Sequence, residues 1–141
     1  MKKILIIEDD PVMAHVCQRL LAKQDYSVAV ACDGAKGLEL LIAFQPDLVL
    51  LDLMMPQTNG VEVLTRIRAQ EALRNLPVIV FTNACIPAFI EQARQAGATQ
   101  ILDKSKFNPI ALTELLRALL DGGSGTRLGV VSQNERIERL N

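Results

Sequence analysis

Several charged and hydroxyl side chains in this sequence stand where apolar runs end. Glu8, Asp9 and Asp10 follow Ile4-Leu5-Ile6-Ile7, and Asp52 follows Leu48-Val49-Leu50-Leu51. Thr82 follows Val78-Ile79-Val80-Phe81, and Lys104 comes just after Gln100-Ile101-Leu102. An ion buried within such a run costs several kcal/mol unless something compensates. Asp52 is therefore read as sitting where its strand emerges, beside a cation. Carboxylates gathered at one place repel by roughly 4 kcal/mol per pair at an effective dielectric of about 20. A hard divalent cation removes that penalty, and Mg²⁺ suits a shallow site with one or two direct carboxylates and retained waters. The same cation neutralises charge on an incoming phosphoryl group. Asp52 is then the natural nucleophile, forming a mixed anhydride. The phosphoryl group brings roughly −1.5 to −2 charge and three acceptor oxygens. The Thr82 hydroxyl and the Lys104 ammonium supply partners for two of them, and the metal for the third.

This chemistry needs a frame that brings distant residues together. Lys3 to Ile7 reads as a strand, and Pro11 opens a helix whose apolar positions are Val12, Met13, Val16, Cys17, Leu20 and Leu21. Tyr26 to Ala31 is a second strand. Asp33-Gly34 then caps a helix with Leu38, Leu41, Ile42 and Phe44 on its buried side. The run at Leu48, entered through Pro46-Asp47, suits a strand buried on both faces, although its pattern also fits a buried helix segment. Gln57 to Gly60 is a polar loop with a glycine suited to positive φ, and Val61, Leu64 and Ile67 mark the next helix. A fourth strand spans Val78 to Phe81. A fourth helix runs from Pro87 to Ala96, stopped by Gly97. The fifth strand covers Gln100 to Leu102. Asn108-Pro109 opens the fifth helix, with Leu112, Leu115, Leu116 and Leu119 inward. Five rounds of strand then helix dictate an α/β fold: a parallel sheet with helices on both faces. Parallel strands carry all their carboxyl ends to one edge, where ligands bind in such folds.

Composition narrows the classes. The chain's 141 residues fit one domain over 1–121 and a Gly-Gly-Ser-Gly linker with a short tail over 122–141, with no output domain expected. A net charge of −1 and the lack of a basic cluster argue against DNA or a membrane surface as partner. No apolar run is long enough to span a bilayer, so no membrane insertion is expected. Cys17, Cys32 and Cys85 are scattered, which suits reduced thiols buried as small hydrophobes and a cytoplasmic location. His15, the single histidine, has no neighbouring ligand types and reads as a solvated surface residue.

Taken together, Ile4 to Asp10, Pro46 to Pro56, Gly60, Thr82 and Lys104 resemble the receiver domain of two-component response regulators. The resemblance covers Met1 to about Asp121. It implies a flavodoxin-like, doubly wound sheet of order 2-1-3-4-5 with five helices. It implies Mg²⁺-dependent phosphorylation of Asp52 by a sensor histidine kinase or phosphotransfer protein, and signalling to a downstream effector protein. Asp9 and Asp52 would be direct metal ligands, Glu8 would act through water, and Met54 would contribute its backbone carbonyl. Thr82 and Lys104 would bind and report the phosphoryl group. Such a protein assists its own phosphotransfer and dephosphorylation but is not a conventional enzyme.

Two departures from the family pattern stand out. Ser105 takes the place of the proline that usually follows Lys104, so a trans peptide is expected there. Ile101 takes the place of an aromatic switch residue, so signalling must rest on loop and helix-four rearrangement. An exposed Ile90 would join Ile101 in a partner surface with the fifth helix. Met54 and Ala84 offer no polar side chain to an attacking water, which predicts a persistent phosphoryl group. Two other readings compete. A dehalogenase-type phosphatase also uses an aspartyl-phosphate, but it places a second Asp two residues after the nucleophile, where this chain has Met54. A pseudo-receiver binding partners without phosphorylation would not need the full acidic and phosphate-binding set.

Overall fold

The computed structural model describes residues 1–83 and 86–121. Strands β1 (Lys3–Ile7), β2 (Ser27–Ala31), β3 (Leu48–Leu51), β4 (Val78–Thr82) and β5 (Gln100–Asp103) alternate with helices α1 (Pro11–Ala22), α2 (Gly34–Ala43), α3 (Gly60–Ala69), α4 (Pro87–Gln95) and α5 (Pro109–Asp121). Every pairing is parallel, and the order is β2-β1-β3-β4-β5. This is the doubly wound, flavodoxin-like sheet, with β1 and β3 adjacent at its centre.

Strand alternation divides the core between the two faces. On one face Leu5, Ile7, Val49, Leu51, Val78 and Val80 pack under α2, α3 and α4. On the other, Ile4, Ile6, Leu48, Leu50, Ile79 and Phe81 pack against Cys17 and Leu21 of α1 and Leu112, Leu115 and Leu116 of α5. Helices on both sides explain why β3 reads as an unbroken apolar run. Each buried Leu there stabilises the fold by about 2 kcal/mol relative to exposure. The sequence marks the helix starts well. Asp10 accepts from the Val12 amide, Asp33 from Lys36, Asn59 from Val61, and Asn108 from Ile110 and Ala111.

Several expectations need correction. Val12, Val16 and Ile42 are exposed, at 71 %, 42 % and 72 %. A helix laid on a sheet buries only a stripe, and in α1 that stripe is Ala14, Cys17 and Leu21. Ile90 and Ile101 are buried rather than forming a partner surface. Ile101 sits beside Val80 in the register, on the face that α4 covers, and both isoleucines join that core. Gly60 does not adopt a positive φ; Gly97 does, at 104°. Gly60 is needed for close approach instead, since a Cβ there would lie 2.6 Å from the Asp52 carbonyl oxygen. Cys32 is exposed, unlike Cys17. The peptide after Lys104 is trans, as no cis bond occurs among the described residues. Ala84, Cys85 and the 122–141 linker and tail lie outside the described residues. Among the described residues no helix is long and apolar enough to cross a membrane.

Candidate functional site

The backbone ladder runs one residue past β1 and β3. The Glu8 amide donates to the Ala31 carbonyl at 2.9 Å, and the Asp52 amide to Ile7 at 3.0 Å. These bonds fix the two acids as the first residues beyond adjacent strand ends. Carboxylate oxygens of Glu8, Asp9 and Asp52 lie within 4.8 Å of one another. Glu8 and Asp52 are buried, and Asp9 is half-buried.

From the far side of the sheet, Lys104 reaches into this cluster. It begins a one-turn 3₁₀ helix, Lys104–Lys106, immediately after β5. Its Nζ forms an ion pair with Glu8 and lies 3.3 Å from Asp52 Oδ2. The lysine is itself 91 % buried, being 9 % exposed. Thr82, fully buried, ends β4 opposite Asp103 in the register. Residues 8, 9, 52, 82 and 104 thus come from four strand ends along one edge, as the sequence predicts.

The loop after Asp52 is held from both sides. The Met54 amide donates to Asp52 Oδ1 at 3.2 Å, and Met54 bridges to Asn59, the α3 cap. Gly60 donates its amide to the Leu53 carbonyl at 3.0 Å, tying the start of α3 to the loop. The Met54 side chain is 49 % exposed and is no part of the acidic cluster.

The electrostatics follow from burial. Burial pushes Glu8 up to about 7, partly offset by the hydrogen bonds from Lys104 and from the Asp10 amide. Asp52 is also raised, chiefly by burial, against the lowering charge of Lys104 and the Met54 amide. For Lys104 burial acts downward, but hydrogen bonding to Glu8 and the Asp52 charge outweigh it and raise the ammonium overall. Cys17 lies behind the acids and is pushed up to about 11, first by burial and then by the Glu8 charge. It stays a thiol at neutral pH and offers no nucleophile. His15 is exposed on α1, as expected.

The donor set fits a hard cation. It is all oxygen, and a 4.8 Å spread is close to the width of an octahedral Mg²⁺ shell, ~4 Å across. Two features have no signature in the sequence pattern. Arg68 threads its guanidinium among the carbonyls of Gly97, Leu73 and Leu76. Phe81 carries the Lys104 ammonium 5.9 Å from its ring centroid and meets Phe107 edge-on. The apolar run disclosed Phe81 only as core.

A five-stranded parallel sheet of this order, with an acidic pocket and a lysine at its carboxyl edge, defines the receiver class of signalling domain. The family model described as the response regulator receiver domain matches residues 4–119, and the chain belongs to that family. It is 37 % identical over 123 residues to the DNA-binding dual master transcriptional regulator RpaA of Synechocystis, covering 85 % of this chain and 49 % of that protein. It is 37 % identical over 131 residues to the response regulator MprA of Mycolicibacterium vanbaalenii, covering 87 % and 54 %. The chain spans about half the length of these curated relatives. Among solved structures, a CheY-like receiver domain protein from Methanospirillum hungatei superposes with a TM-score of 0.80 at 26 % identity, covering 86 % of this chain and 94 % of that one. The receiver domain of the sensor histidine kinase PA1611 of Pseudomonas aeruginosa gives 0.78 at 29 % identity, covering 86 % and 98 %. That structure holds a magnesium ion coordinated in its active-site cleft.

Proposed function

We propose that the chain accepts a phosphoryl group on Asp52 from the phosphohistidine of a sensor histidine kinase or phosphotransfer protein. The observation that carries this is the gathering of the Glu8, Asp9 and Asp52 carboxylates at one edge, with Lys104 paired to Glu8 and Asp52. Asp52 Oδ attacks phosphorus, the phosphorus–nitrogen bond breaks, and the imidazole of the donor leaves with the electron pair. Asp9, Asp52 and the Met54 carbonyl would hold Mg²⁺ directly, with Glu8 acting through water. When bound, the ion neutralises charge on the transferring group. Lys104 then shifts its donors from the carboxylates to a phosphoryl oxygen, and the Thr82 hydroxyl donates to another. The reaction is self-phosphorylation rather than turnover of a released substrate, so the chain is not a conventional enzyme. Output is phosphorylation-dependent binding to an effector protein in the cytoplasm, with neither DNA nor membrane contacted by this domain.

The phosphatase alternative lacks its general acid, because position 54 is a methionine with a partly exposed side chain. Incubating the chain with acetyl phosphate and Mg²⁺ and reading intact mass tests the proposal. One phosphoryl adduct is expected in wild type, and none in Asp52→Asn or with a chelator present. An unmodified wild type, or an adduct that survives in Asp52→Asn, would overturn it.

A further inference from the structure

A chain of contacts leads from the acidic pocket to the first turn of α5. The Lys104 ammonium, between Glu8 and Asp52, lies 5.9 Å from the Phe81 ring centroid. Phe81 meets Phe107 edge-on, with centroids 5.6 Å apart and planes inclined by 61°. The Phe107 amide closes the loop by donating to the Lys104 carbonyl at 3.1 Å. The next residue, Asn108, caps α5 through the amides of Ile110 and Ala111. Ile110 is 70 % exposed and stands on the wall of an open groove between α1 and α5. Phe81 lies on the α1/α5 face of the sheet, and strand alternation turns its neighbour Thr82 to the α4 side.

We propose that Phe81 and Phe107 act as positioning residues that carry the phosphorylation state of Asp52 to α5. The inference rests on the phosphoacceptor reading of Asp52 and goes beyond it by naming a route and a destination. An ammonium is held over a ring by the ring's quadrupole, and edge-to-face rings prefer a defined offset. When Lys104 turns to the new phosphoryl oxygens, its place over Phe81 changes. Phe107 is bound to that ring by contact and to Lys104 by a backbone hydrogen bond, so it repacks with them. The α5 cap follows, and the conformation around Ile110 changes. This route lies on the opposite face from the α4 side.

The test follows the Ile110 δ1 methyl by NMR in the full-length chain, with and without acetyl phosphate and Mg²⁺, while intact mass reports the adduct on the same sample. In wild type the methyl resonance should shift when the adduct forms. In Phe107→Leu the adduct should still form and the shift should fall by roughly threefold or more, the scale on which one ring contact biases a two-state equilibrium. Phe107→Tyr, which keeps the ring, should restore it. A full shift in Phe107→Leu, or no shift in phosphorylated wild type, would overturn the relay and leave Asp52 as acceptor. Absence of any adduct in wild type would overturn both.

Discussion

Lys104 Nζ lies 3.3 Å from Asp52 Oδ2 and pairs at the same time with Glu8. One ammonium therefore serves two buried acids that come from strands far apart in sequence. This offsets part of the cost of burying them, and it leaves both carboxylates competing for one cation. Mg²⁺ bound by the acids would release Lys104 for a phosphoryl group.

The raised Glu8 fixes a pH dependence. With a folded value of about 7 against an ordinary 4.5, the folded state holds a proton that the unfolded state has released between those values. Without metal, stability should therefore fall as pH rises through that window. The melting temperature of chelated protein should be higher at about pH 5.5 than at about pH 7.5, and Glu8→Gln should flatten the difference. A melting temperature that climbs over this range in wild type would contradict the account.

Mg²⁺ must displace both that proton and Lys104, so its binding should strengthen with pH. At about 100 times its dissociation constant the ion should stabilise the fold by roughly 3 kcal/mol, visible as a rise in melting temperature near neutral pH. Asp9→Asn and Asp52→Asn should each lose most of this rise. Equal stabilisation of both variants and wild type would place the ion elsewhere.

Arg68 should matter for stability and little for chemistry. Its guanidinium donates to Gly97 O at 2.9 Å, Leu73 O at 2.9 Å and Leu76 O at 2.7 Å, joining α3 to the loops before β4 and β5. Arg68→Ala should cost about 3 kcal/mol in urea unfolding, since bonds to a charged donor are strong and the carbonyls lose their partner. Arg68→Lys should recover less than half of it, because an ammonium cannot reproduce the fork. The folded fraction should still be phosphorylated.

Met54 carries the prediction of a persistent phosphoryl group. Its side chain is partly exposed beside Asp52 and has no group to orient a water. Decay of the purified adduct should take minutes or longer, and Met54→Asn should hasten it by roughly tenfold, within the range of one positioned polar group. A half-life of seconds in wild type would rule this out.

Much of this architecture was legible in the sequence, and the reasons are physical. Parallel strands buried on both faces leave runs such as Leu48 to Leu51, and their polar ends mark the sheet edge where Glu8, Asp9, Asp52, Thr82 and Lys104 gather. Asp33 and Asn108 announced helix starts because capping is local chemistry, whereas the Asn59 cap of α3 read only as part of a polar loop. What stayed hidden depends on packing at long range. Val12, Val16 and Ile42 match a helical period but miss the narrow docking stripe. Ile90 faces inward from α4 and Ile101 lies on the sheet face that this helix covers, a packing that no local pattern encodes. Arg68 and the Phe81–Phe107 contact join residues 29 and 26 positions apart, beyond the reach of periodicity.

Reductive trapping with borohydride tests the central claim most directly. One hydride displaces phosphate from an aspartyl-phosphate to give the aldehyde, and a second hydride with a proton from water reduces it to homoserine at the acceptor. After treatment with acetyl phosphate and Mg²⁺, peptide mass analysis should find homoserine at Asp52 and at no other acid. Homoserine at Asp9 or Asp10, or an unreduced Asp52 in a protein that carries the phosphoryl mass, would contradict the account.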